Sequence, residues 1–193
     1  AIPKPLLPEL QSLKVDFEVV STQMLALAQP APEQGLAVWL AETQTGGQGR
    51  RGKTWCSPPL ANIYCSINRR FQMAMADMSG FSLACAVILA QSLRARGVEG
   101  LALKWPNDIW LHGKKCAGLL IQLRGEAAGP CDMTLGFGLN VHLQPQDGID
   151  IDQPWTSIAQ HQPGLWDRNV LVAGLLTDLM HGFARYQEQG FAA

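Results

Sequence analysis

Charge is scarce in this sequence. Charged residues make up 16% of its 193 positions, and 15 basic against 16 acidic side chains leave a net charge of −1. A global basic field that would draw in nucleic acid is therefore absent, and no nucleic-acid partner is expected. No apolar run reaches the ~18–20 residues that cross a bilayer, so no membrane partner is expected either. The opening Ala1-Ile-Pro-Lys-Pro5 lacks both the layout of a signal peptide and a starting methionine, which suggests a trimmed chain or one taken from a longer protein. The five cysteines (Cys56, Cys65, Cys85, Cys116, Cys131) contain no C-x-x-C pair and are odd in number, which excludes a disulfide framework and zinc-ligand spacing. Three sit in apolar segments, where free cysteine acts as a small hydrophobe, and a reducing cytoplasm is the compartment that fits. Internal repeats and low-complexity tracts are absent as well.

The residues present describe one domain over 1–193, because a 47% hydrophobic chain of this length can bury a real core. Residues 1–14, with Pro3, Pro5 and Pro8, read as an extended lead-in. Strands are expected at Val15–Val20, Ala37–Glu42 and Asn62–Asn68, where β-rich residues alternate. Ser21-Thr22 caps a short helix through Ala28. Gly80–Arg96 is the clearest helix, with Phe81, Ala84, Cys85, Ile88 and Leu89 on one stripe and Gly97 as its stop. Short strands at Leu101–Trp105 and Ile109–Leu111 flank Pro106, and His112-Gly113 turns the chain into a hairpin arm, Cys116–Leu123. Met133–Val141 is a glycine-bearing strand, Trp155–Gln160 a helical turn or two. Asn169–Gln189 is a closing helix with Val170, Ala173, Leu176, Leu179 and Met180 inward. The fold class is α+β, a mixed and mostly antiparallel sheet with helices packed on one side.

Gly46-Gly-Gln-Gly-Arg-Arg-Gly-Lys53 holds four glycines and three cations in eight residues. Glycine lets amide groups approach an anion, and arginine offers a fork of donors matched to phosphate oxygens, so the loop reads as an anion cradle. Its spelling from Gly47 to Thr54 satisfies G-x-x-x-x-G-K-[ST], but Pro58-Pro59 denies it the helix that a phosphate loop opens into, so nucleoside triphosphatase is rejected. A second group, Lys104-Trp-Pro-Asn-Asp108, lies on a hairpin whose return arm carries Lys115; Asp108 and Lys115 are expected to face one pocket.

Together, Ser21-Thr22, the run from Glu42 to Pro58, Lys104–Asp108 with Lys115-Cys-Ala-Gly118, and Gly136-Phe-Gly-Leu-Asn140-Val141 resemble the catalytic domain of biotin–protein ligases, which shares a class II synthetase-like fold with the lipoate ligases. The resemblance spans roughly residues 15–190. It implies an enzyme that joins biotin and ATP into biotinyl-AMP and passes the biotinyl group to a lysine of the biotin carboxyl carrier protein of acetyl-CoA carboxylase, with Mg2+ accompanying ATP and no protein-held metal. On that resemblance Ser21, Thr22 and Gln44 bind the ureido ring, and the biotin-binding set also takes in Gln23, Gly47, Gly49, Arg50, Arg51, Lys115 and Gly118. Arg50, Arg51, Gly52, Trp55, Asn107, Lys115 and Asn140 serve the nucleotide, with Trp55 as a wall. Lys115 counters charge developing on the carboxylate and phosphate, Arg50 steadies the mixed anhydride, and Asp108 is the base for the incoming carrier lysine. The loop at 46–54 is expected to order over the intermediate and to be mobile without it. Where the family usually has Asp and Asn around Ser-Thr, this chain has Val20 and Gln23, and Gln48 replaces an arginine. Neither the DNA-binding domain nor the C-terminal β-domain of larger members is expected. A biotin-binding relative without transfer activity, and lipoyl or octanoyl transfer, are the alternatives; a homodimer through an edge strand is left open.

Overall fold

The structure, a computed structural model, describes residues 9–126, 128–164 and 166–190. Along the chain come β1 (Leu10–Val19), α1 (Thr22–Leu27), β2 (Leu36–Gln44), β3 (Ile63–Phe71), α2 (Phe81–Ala95), β4 (Leu101–Lys104), β5 (Asp108–Leu111), β6 (Lys114–Gly125), β7 (Cys131–Leu139), α3 (Ile158–His161) and α4 (Arg168–Gln189). The strands form one seven-stranded sheet in the order β1-β2-β3-β7-β6-β5-β4. Among the described strands only β1 and β2 run parallel, joined across α1; every other strand pair is antiparallel.

Alternation along β2 divides the two faces. Leu36 and Val38 enter the main core beneath α2 and α4, whereas Ala37 and Trp39 pack with Ala26 of α1 on the opposite face. The two long helices thus share one face, as the periodicity implies, and the six-residue α1 takes the other. Phe71, Phe81, Phe183 and Tyr186 cluster in the core, three of their contacts edge to face and Phe81–Phe183 tilted, with centroids 4.5–5.9 Å apart. The Tyr186 hydroxyl donates to the carbonyls of Asp77 and Ser79, anchoring α4 to the turn before α2. A Cβ at Gly182 would collide with Ile88, so glycine sets how closely α4 meets α2.

Several boundaries depart from the sequence reading. β1 begins at Leu10, so residues 10–14 belong to the strand and not to a lead-in, because pairing with β2 continues that far. Residues 1–8 of the expected lead-in lie outside the described residues. Val170 is exposed rather than inward: the buried stripe of α4 runs through Leu171, Leu175 and Leu179, and Val170 falls off its edge. Asp167 caps that helix by accepting from the amides of Asn169 and Val170. Trp155 is not helical; it bridges to Lys115, and the turn it precedes is α3, which starts at Ile158. The β5–β6 turn is the two-residue His112-Gly113 with both φ angles positive, the left-handed pair that suits a tight hairpin.

Candidate active site

The polar start of α1 forms the inner end of the site. Ser21 caps the helix by accepting from the Met24 amide, and Thr22 donates from its backbone (2.9 Å) and hydroxyl (3.2 Å) to Gln44 Oε1 on β2. The Thr22 and Ser66 hydroxyls are 2.9 Å apart, Ser66 donates to Gln23 Oε1 at 3.2 Å, and Gln23 Nε2 donates to Gln122 Oε1 at 2.9 Å. Side chains from α1, β2, β3 and β6 therefore make one chain of neutral donors and acceptors. A Cβ at Gly136 of β7 would strike Gln23, so glycine is what lets this network lie flat on the sheet.

The glycine-arginine loop folds back on itself. Gly49 N–H donates to Lys53 O (2.7 Å), Trp55 N–H donates to Gly47 O (2.9 Å), and Gln48 bridges Thr54. No helix opens at Lys53-Thr54: a single 3-10 turn at Arg50–Gly52 carries Arg51 and Gly52 in left-handed conformation. Past the loop, the Tyr64 hydroxyl donates to Pro58 O and Thr43 to Ser57 O, which ties the exit to β2 and β3. Trp55 then lies across β6 and β7, where a Cβ at Gly138 would collide with its indole and one at Gly118 would touch it at 3.0 Å.

Across from the loop, the β4–β5 turn is locked to β6. Asn107 donates from Nδ2 to Leu119 O and accepts through its own carbonyl from the Leu119 amide. The Lys115 ammonium sits 2.9 Å from Asp108 Oδ1 and 5.4 Å from the Trp55 ring centre, with both charged side chains more than four-fifths buried. Arg50 reaches over from the loop, its guanidinium donating to Asn107 Oδ1 at 3.2 Å. The two groups singled out in the sequence thus meet through a side-chain contact 57 residues apart in the chain.

A cavity of about 990 Å³ joins these parts. Ser21, Thr22, Gln23, Gln44, Gly49, Arg50, Arg51, Gly52, Trp55, Asn107, Asp108, Lys115, Gly118 and Asn140 all line it. Gly47 does not: it is buried behind the wall, where a Cβ would hit Trp55 O and Ser57 Oγ, so its role is to let the loop pack. Asn140 is buried and pinned, its Nδ2 donating to Thr156 O and its amide to Cys116 O.

One wall escaped the sequence reading. Asp150, Ile151, Asp152, Gln153 and Trp155 line a further part of the cavity, and the neighbouring Pro154 and Thr156 hold Lys115 by backbone bonds. Cys56 Sγ donates to Asp147 O at 3.4 Å, linking the two loops directly. The available signal was length: residues 140–157 form a long connection between β7 and α3, of the kind that usually carries a site. Burial first, then Asp150 and Asp147, push the Cys56 thiol above its ordinary range. Cys65, in the main core beneath the sheet, is pushed up by burial alone. No cluster of three or more His, Cys, Asp or Glu side chains that could hold a metal occurs among the described residues.

Comparison with known proteins decides the family. Residues 17–140 match the biotin/lipoate A/B protein ligase family. The chain belongs to it. It is 33% identical over 153 residues to the bifunctional ligase/repressor BirA of Escherichia coli, covering 79% of this chain and 47% of that protein. With the biotin–[acetyl-CoA-carboxylase] ligase of Paracoccus denitrificans it shares 34% identity over 179 residues, covering 89% of this chain and 73% of the relative. The chain spans about half the length of several curated family members it matches. Its fold matches that of the Aquifex aeolicus biotin protein ligase solved with biotin and ATP, with a TM-score of 0.76 over 94% of this chain and 74% of that one at 23% identity.

Proposed function

We propose that this family member is a biotin–protein ligase catalytic domain, which makes biotinyl-AMP from biotin and ATP and transfers the biotinyl group to a lysine of a carrier protein. The observation that carries the reading is the meeting of Arg50, Asn107, Asp108 and Lys115 at one end of a cavity whose other end is the neutral Ser21–Gln44–Gln23 network. A fused ureido ring needs neutral donors and acceptors, and its carboxylate, some distance along an aliphatic arm, needs cations. The cavity offers both in that order.

In the first step a carboxylate oxygen of biotin attacks the α-phosphorus of ATP and pyrophosphate leaves. Lys115, desolvated against Trp55, stabilises negative charge on the carboxylate and phosphate as it redistributes. Arg50 and Arg51 bring further donors from the loop, and the buried Trp55 N–H, which has no hydrogen-bond partner among the described residues, is a donor a ligand oxygen or ring nitrogen would satisfy. In the second step the carrier amine attacks the acyl carbon and AMP departs. Asp108 is the base that takes the ammonium proton, and ligand entry frees it by drawing Lys115 away. Magnesium would arrive with the nucleotide, since this ion typically uses one or two carboxylates plus phosphate oxygens, and Asn107 and Asp108 line the cavity beside the basic loop that would hold the phosphates. It would screen phosphate charge.

The relative from Paracoccus denitrificans carries acetyl-CoA carboxylase in its name, which supports that enzyme's biotin carboxyl carrier protein as the acceptor. No helix among the described residues is long and apolar enough to cross a membrane, and a cytoplasmic setting accords with the reading. Incubating the chain with biotin, Mg-ATP and an apo carrier domain should release pyrophosphate and add one biotinyl mass to the carrier. Biotin binding with neither product would mark a binding protein; transfer of lipoate or octanoate in place of biotin would reassign the substrate.

A further inference from the structure

The side-chain amide of Gln44 has two unlike ends, and the residues around it fix which end faces where. Its Oε1 accepts from the Thr22 backbone N–H at 2.9 Å. That group can only donate, so the amide oxygen lies toward Thr22 and the nitrogen away from it. On the nitrogen side stands Ser57, buried behind the cavity wall. Gln44 Nε2 donates to Ser57 Oγ at 3.1 Å, and Ser57 donates its own hydroxyl hydrogen to the Trp55 carbonyl at 3.0 Å. A carbonyl can only accept, so the serine hydrogen is committed and its oxygen is left to receive the amide. The backbone here is held as firmly: Thr43 donates from its hydroxyl to Ser57 O at 2.7 Å, and Trp55 N–H to Gly47 O at 2.9 Å. Gly47 makes room for the Gln44–Ser57 bond, since a Cβ there would stand 2.7 Å from Ser57 Oγ and 3.2 Å from Gln44 Nε2.

We propose that Ser57 is a positioning residue for ring recognition, acting through Gln44 by holding the amide oxygen toward Thr22. The proposal rests on the reading of this cavity end as the one that takes the biotin ring. An amide nitrogen carries two hydrogens. Ser57 takes one, and among the described residues the other has no acceptor, so it is free to meet an acceptor on the ring. A donor held in place beforehand need not be ordered by the ligand, and binding is tighter for it. Without the serine hydroxyl the amide loses the partner that opposes its rotation, and the ligand must supply that order itself. Ser57 also joins the two ends of the site, because the residue that takes its hydrogen carries the indole beside Lys115. Trp55 keeps its bond to Gly47 when that hydrogen is lost, so the effect of losing it falls on the ring end.

Isothermal titration of the full chain with biotin alone is the first measurement. Ser57→Ala should raise the dissociation constant about tenfold, the scale of leaving a buried donor without its partner. The KM for ATP at saturating biotin should stay within about twofold. Ser57→Cys, close in shape but with a sulfur that accepts weakly, should act alike and covers the case in which alanine upsets the fold. A residue that merely packs would add its effect to any other. The deciding measurement is therefore a double-mutant cycle: in a Gln44→Leu background, Ser57→Ala should change biotin binding by less than about twofold. Additive losses overturn the proposal, as does an equal rise in both constants, which is what general loosening of the loop produces. An unmodified chain that binds no biotin overturns the reading of the ring end and this role together. Binding by that chain with no change in either Ser57 variant overturns the role of Ser57 alone.

Discussion

Lys115 lies between a carboxylate and an indole, and its position explains more of the site than its charge alone. Asp108 at 2.9 Å holds the ammonium in place in the ligand-free chain, and in the proposed reaction this pair opens as Lys115 turns toward the negative charge. Gly118 makes this possible, since a Cβ there would stand 3.2 Å from Lys115 Cε. Lys115→Ala should slow adenylation by about 10²–10³-fold, the usual scale for removing a donor aimed at developing charge. Single-turnover release of pyrophosphate measures this; a loss below threefold would put Lys115 away from the reacting centre. The Cys56 thiol is the second residue with a definite expectation. Burial and the neighbouring Asp150 and Asp147 disfavour the thiolate, so a smaller fraction is reactive at any given pH than in an ordinary cysteine. Alkylation by iodoacetamide, followed by mass spectrometry across pH, should rise with a midpoint above that of a free thiol, and a midpoint below it would contradict the placement of the two aspartates. Lys115 stood in the sequence at a stated spacing from Asp108, whereas Cys56 appeared only as one of five cysteines without ligand spacing. What spacing could not convey was the Gly47 result, because whether a loop glycine faces a ligand or the loop's own backbone is settled only by packing.

At the scale of elements, the site is made by strands that give up side chains. Gly118 on β6 and Gly136 and Gly138 on β7 leave a bare strip of sheet on which Trp55 and Gln23 lie. Gly138→Ala puts a methyl where the indole is, and overpacking of this sort costs about 1–3 kcal/mol. Displacement of Trp55 should relieve most of that, so the expected outcome is a small fall in melting temperature with a rise in the KM for ATP. An unchanged KM would mean that Trp55 does not shape the nucleotide end. The elements with a period were legible: the amphipathic stripe of α2, the hairpin of β5 and β6 and the alternation of β3 appear close to where their residues imply. The stretch at 140–157 was not, since its wall is built from turns, prolines and backbone bonds to Lys115, none of which leaves a periodic trace.

For the molecule as a whole, the mostly antiparallel sheet followed from a run of short strands joined by tight turns, whereas the parallel pairing of β1 with β2 did not. The early end of β1 was hidden by Pro3, Pro5 and Pro8, and the crossover through α1 depends on Ala26 meeting Trp39 across a sheet whose two faces sequence alone does not label. That crossover matters for function, because it delivers Ser21, Thr22 and Gln23 to the face away from α2 and α4, where the loop and the β4–β5 turn also open. Four segments distant in sequence thus border one cavity, and a ligand filling it ties them together. Any ligand that binds the folded chain alone stabilises it by mass action, about 2.7 kcal/mol at a hundred times its dissociation constant. For a domain of this size each kcal/mol moves the melting temperature by roughly 2–4 °C, so saturating biotin should raise it by about 5–10 °C. Scanning calorimetry at increasing biotin reads the shift. Thr22→Val removes a hydroxyl from the neutral network without touching the cations, and should abolish most of the shift while leaving the ligand-free melting temperature within a few degrees. A full shift in that variant would mean that the ring end of the ligand lies somewhere other than against Thr22, Gln44 and Ser66.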